Sequence, residues 1–181
     1  TDAIVDTVIH ATGFVNLGYN IKAAINNYIF GKLSLITHSV GGEDFTREEL
    51  SQAFKIMNDS MMLGFDRNNP VTNKIKRLTQ LYNVVFETNE AAYGARSSFE
   101  IQTEKFDLFK PYGGQKRGEY YLQNVGMIAT LINKKIQVTL NDGSISEMSM
   151  FDMYDNDGNI KADIVDIKYL DKNGQWIGSI N

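Results

Sequence analysis

The spacing of apolar residues changes once along this chain, and that change constrains its fold more than any other feature. Up to about residue 132, outside a poorly periodic stretch at 87–117, apolar residues recur three and four apart, the repeat of a helix with one buried face. From Ile136 onward they alternate, the repeat of a strand. A sequence that segregates its periods in this way predicts an α+β fold. Its first two thirds are expected to be mainly helical, and its carboxyl end to form antiparallel β-hairpins.

The helical part carries legible punctuation. Ile4, Val8, Ala11 and Val15 form one stripe, which Gly13 and Gly18 weaken, so a break near Gly18 is expected. Ile21, Ala24, Ile25, Tyr28 and Leu35 continue to about Ser39, and Gly41-Gly42 reads as a stop. Thr46 followed by Glu49 is a capping box, with Phe45 and Leu50 placed as a hydrophobic staple. Leu50, Ala53, Phe54 and Met57 then share a face. Pro70 suits the first position of the next helix, whose stripe is Val71, Ile75, Leu78, Tyr82 and Val85. Residues 87–117 have poor periodicity and read as a loop-rich connection. A last helix follows, with Tyr121, Val125, Ile128 and Ile132 on one side. Strand pairs are expected to turn at Asn141-Asp142-Gly143 and at Asp171-Lys172-Asn173-Gly174. The organisation is therefore one unit over 1–181: a helical part at 1–86, the connection at 87–117, and a helix with hairpins at 118–181.

Charge is distributed unevenly. Residues 1–42 hold only Asp2, Asp6, Lys22 and Lys32, whereas 118–181 carry nine acids against five bases. A segment so poor in charge is expected to be covered on more than one side, and in a chain this short the cover is expected to come from another polypeptide. The net charge of −4 argues against a dedicated DNA binder. With no cysteine there are no disulfides or thiolate metal sites. The first ten residues have no basic region and carry Asp2 and Asp6, so no signal peptide is expected. Asn16, Asn20, Lys22, Asn26 and Asn27 interrupt the apolar stretch, and no membrane-spanning segment is expected. An opening Thr1 fits a processed product or an excised fragment.

No catalytic constellation emerges, and no cofactor or metal is implied. His10 and His38 have no carboxylate at ligand spacing. Aligning Gly158 with the glycine of a calcium-binding loop puts Met153 and Ile164 where Asp and Glu are required, so Asp155-Asn156-Asp157-Gly158-Asn159 reads as a plain turn. Glu43, Asp44, Glu48 and Glu49 gather at a helix start, where they favour the helix dipole. The best binding candidate lies between Lys105 and Arg117, where bases interleave with aromatics. Lys110, Lys116 and Arg117 would engage phosphates and Tyr112 would stack on a base of single-stranded nucleic acid. Glu104, Asp107 and Glu119 dilute that charge, so nucleic acid is the second reading.

The order of several segments resembles one protein family. Asn20 to Tyr28, Gly41-Gly42-Glu43-Asp44-Phe45-Thr46, Glu49-Leu50, Gly118-Glu119-Tyr120-Tyr121-Leu122-Gln123 with Met127-Ile128-Ala129, Ser149 to Asp155, and Asp157 to Lys161 carry the likeness. Together they resemble a segment within the very large virion proteins of crAss-like tailed bacteriophages of gut Bacteroidetes, over most of residues 15–165. The resemblance implies a piece of a larger polypeptide, packaged in the capsid or tail, that contacts other virion proteins or the rest of its parent chain and enters the host with the DNA. Some such proteins include a virion RNA polymerase built on an Asp-x-Asp-x-Asp metal motif. Here Asp155 and Asp157 are flanked by Met153 and Asn159, so no polymerase residues carry over. The resemblance implies a non-enzymatic structural or cargo segment; an accessory or nucleic-acid-binding module of a virion polymerase is the alternative.

Overall fold

The computed structural model describes residues 21–62, 70–82, 84, 113–171 and 174–178. Among them run helices α1 (Ile21–Gly41), α2 (Arg47–Met62), α3 (Pro70–Leu81) and α4 (Gly113–Asn133). Strands β1 (Lys135–Leu140), β2 (Ile145–Ser149), β3 (Ile164–Leu170) and β4 (Trp176–Ile177) follow. The strands form one antiparallel sheet in the order β2-β1-β3-β4. The expected α+β class is therefore the observed one. The expected stripe from Ile4 to Val15, the break near Gly18 and most of the connection at 87–117 lie outside the described residues.

The sequence punctuation acts where it was expected. At the start of α2 the Thr46 backbone N–H donates to Glu49 Oε2 at 2.7 Å, and Phe45 and Leu50 are both buried. Pro70 opens α3. α1 ends at Gly41, and Gly42 follows in the left-handed region at φ 69°. α4 begins at Gly113, five residues ahead of the expected start at 118. A helix needs no apolar stripe in its first turn, so Gly113-Gly114 and the polar residues after them hid that turn from a reading based on spacing.

The chain divides into two compact units. The described residues of the first are 21–35 and 113–123; those of the second are 36–62, 70–82, 84, 124–171 and 174–178. In the first unit Tyr28 meets Tyr121, ring centroids 5.9 Å apart and tilted by 49°. Burial, together with Tyr28, pushes the Tyr121 hydroxyl up to about 12. A Cβ on Gly31 would lie 2.5 Å from Leu122 Cδ1, so the missing side chain lets α1 and α4 approach here.

In the second unit the core gathers Leu78 of α3, Leu131 of α4, Ile136 and Val138 of β1, and Met153 and Tyr154 beyond β2. Leu50, Ala53 and Met57 give α2 a buried face at helical spacing. Two buried polar contacts sit among these apolar groups. Ser60 and Thr72 hydroxyls lie 3.2 Å apart, and Thr79 Oγ1 donates to Asn124 Oδ1. Each satisfies groups that would otherwise be costly to bury, and Thr79 Oγ1 also lies 2.7 Å from the Ile75 carbonyl of its own helix.

Three turns share one construction. Leu140/Ser144, Asp155/Asn159 and Asp171/Gln175 each close through a backbone N–H to carbonyl bond of 2.8–2.9 Å. Gly143, Gly158 and Gly174 stand at the left-handed position, with φ between 76° and 81°. The segment considered for calcium is thus a miniature hairpin, continued by the Tyr154–Ile160 bridge. Asp155 Oδ1 accepts from the backbone N–H groups of Asp157 and Asn159, both at 2.9 Å, so this carboxylate shapes the turn.

Candidate functional site

Of the residues proposed to engage nucleic acid, Lys110 and Tyr112 lie outside the described residues. Lys116 and Arg117 fall on the first turns of α4, and their side chains lie outside the description too. The constellation is therefore not assembled here. His10 also lies outside the described residues, and His38 is exposed on α1. Among the described residues, no group of three His, Asp or Glu side chains could hold a metal ion. No described helix is long and apolar enough to cross a membrane.

Of the acidic cluster, Glu43, Asp44 and Glu48 are exposed, whereas Glu49 is integrated. It accepts from the Thr46 N–H and, at 3.0 Å, from Asn133 Nδ2, joining the start of α2 to the end of α4. Burial works to raise this carboxyl. The Thr46 N–H, the Asn133 amide, the Thr46 hydroxyl and the Lys135 charge outweigh it and hold the group below its ordinary value.

Sequence spacing missed the most developed polar arrangement, which is built around Lys74. This lysine is half-buried on α3; its Nζ donates to the Tyr154 carbonyl at 2.8 Å and stands 4.0 Å from the centre of the Phe151 ring. Burial lowers its pKa and Lys161 adds to the effect, while Asp152 and Asp155 act the other way. Eight residues on, just past the end of α3, the Tyr82 hydroxyl meets that of Tyr154 at 2.9 Å. Burial, with Tyr82 as neighbour, raises the Tyr154 hydroxyl well above the ordinary tyrosine value. Gly158 rests against the helix between them: a Cβ there would lie 2.5 Å from Arg77 Cβ and 3.3 Å from the Lys74 carbonyl oxygen. Together these contacts fasten the 150–160 segment to α3. Chemically the arrangement is a clasp, because its ammonium and both hydroxyls are engaged with one another or with backbone.

Among the described residues, two apolar surfaces stand out as exposed. On α1, Ala24, Tyr28, Gly31 and Leu35 are half-buried, while Ile25, Ile29, Phe30 and Leu33 are between 48% and 69% exposed. The expected single stripe, which included Ile25, is thus two faces of one helix. The other surface is the side of the sheet turned away from the core, where Ile145 and Val165 are exposed.

Comparison with protein-family models, with curated proteins and with solved structures finds no match to this chain.

Proposed function

We propose that this chain is a structural or packaged-cargo segment of a bacteriophage virion, held in the capsid or tail by protein–protein contacts. The observation that carries the proposal is the exposed face of α1. Ile25, Ile29, Phe30 and Leu33 lie four, one and three residues apart, so they form a single helical patch. Apolar groups clustered this way gain free energy by leaving water, and α1 carries no acidic residue to oppose close packing. α1, lying in the charge-poor segment 1–42, supplies this surface to a neighbouring virion protein or to the rest of a parent polypeptide. The resemblance of the segments between residues 15 and 165 supplies the setting.

The test is cross-linking mass spectrometry on purified particles of a crAss-like phage whose genome encodes this sequence. The expected result is the polypeptide in the particle, with cross-links from Lys22 and Lys32 to other virion proteins. Its absence from purified particles, or cross-links from α1 confined to the chain itself, would overturn the proposal.

A further inference from the structure

Directly paired residues of an antiparallel sheet point to the same side. Ile136 and Val138 face the core, as do their partners Met148 and Ile167. Gln137 and Thr139 of β1, Ile145 and Glu147 of β2, and Asp166 and Lys168 of β3 therefore face away from it. Two rows cross this outer side. One runs Glu147, Gln137, Lys168; the other runs Ile145, Thr139, Asp166, with the register shift at Thr139/Leu140 setting Val165 beside Asp166. Each row has complementary ends. Glu147 opposes Lys168 in charge, and Ile145 and Val165, 64% and 58% exposed, are both apolar.

That pattern has a symmetry consequence. A second copy turned by 180° about an axis along β1 and laid face to face puts its β3 over β2 of the first. Glu147 then meets Lys168 of the second copy and Ile145 meets Val165 of the second copy, each twice. We propose that the outer side of the sheet is a self-complementary surface whose occupant is a second copy of this chain. Lys135 stands on the axis strand at the end of the sheet, where its Nζ donates to the Ile132 carbonyl of its own chain at 3.3 Å. Asp166 already has an interaction within its own chain. Three short strands a side bury on the order of 1,000 Å² in all, the lower bound for a specific interface, so the dimer is weak. The surface belongs to the second unit alone and does not depend on the virion reading or on α1.

Sedimentation equilibrium of the full chain from micromolar to millimolar concentration tests this, in an Ile29→Lys, Phe30→Glu background that removes association through α1. The expected result is a monomer–dimer equilibrium. Glu147→Lys and Lys168→Glu should each weaken it about ten-fold, because each reversal acts at two symmetric contacts. The double reversal should restore it. A monomer throughout, or a dimer that the double reversal fails to restore, overturns the proposal. Orientation has its own readout, since the chain has no cysteine. A short thiol cross-linker should join Ile145→Cys chains to Val165→Cys chains and leave either variant alone uncoupled; the opposite selectivity would equally sink the symmetry.

Discussion

Replacing Gly158 with alanine should cost far more than the same change at Gly143, although both glycines have left-handed backbone, φ 77° and 81°. That backbone alone costs an L-residue about 1 kcal/mol, and at Gly143 nothing lies within 4 Å of the added methyl. At Gly158 the methyl meets Arg77 Cβ at 2.5 Å and Cγ at 2.7 Å. Cβ is fixed to the α3 backbone and cannot rotate aside, so the turn must lift away from the helix. Lifting it stretches the 2.8 Å bond from Lys74 to the Tyr154 carbonyl and the 4.0 Å contact with Phe151. Those losses add roughly 1 kcal/mol for the hydrogen bond and ~0.5–1 kcal/mol for the cation over the ring. The expectation is about 3 kcal/mol for Gly158→Ala against ~1 kcal/mol for Gly143→Ala. Urea denaturation followed by fluorescence of Trp176, the single tryptophan, reads the unit that contains both sites. Equal losses at the two positions would refute the docking of this turn on α3.

Lys74→Met keeps the apolar stem and removes the ammonium, and should cost about 1–2 kcal/mol by leaving the Tyr154 carbonyl unpaired; an unchanged urea midpoint would show that the clasp contributes nothing. Glu49→Gln should change how stability depends on pH. The folded state lowers this carboxyl, so its contribution is present above the ordinary carboxylate range and is lost as pH falls through the lower folded value. The variant should be less stable than the parent at neutral pH and converge with it in acid, and parallel melting curves across pH would count against the cap.

Local features of the fold were legible because their causes are local. Thr46 and Glu49 are three residues apart, and both partners of the capping bond appear in one turn of sequence. Glycines closing three-residue loops announce themselves, and Gly143, Gly158 and Gly174 all adopt the conformation that Asn- and Asp-rich turns require. The Lys74 clasp was not legible, because its partners, the Phe151 ring and the Tyr154 carbonyl, lie 77 and 80 residues away, and a backbone carbonyl is something any residue supplies. Lys74 is not among the apolar residues that define the stripe of α3, yet a lysine stem can be buried beside a stripe while its ammonium finds a partner.

The two faces of α1 set a different limit. Helical spacing identifies which residues share a side, and it separates buried from exposed only when the other side is polar. Here Ala24, Tyr28 and Leu35 make one apolar side and Ile25, Ile29 and Leu33 another, so the pattern supports burial in either direction. The scarcity of charge over 1–42 pointed to a second apolar side, and among the described residues of that segment Ile25, Ile29, Phe30 and Leu33 are exposed on that side of α1. The sheet poses the reverse case. Alternation of Ile136, Val138 and Leu140 marked the inner side of β1, whereas β2 turns Met148 inward and Ile145 outward, and the rest of the outer side looked like ordinary solvent-facing residues. Only the register, pairing Glu147 with Gln137 and Gln137 with Lys168, orders those charges into a row whose ends are opposite in sign. A surface of that kind is written in the pairing of strands, so it becomes readable only once the register is known.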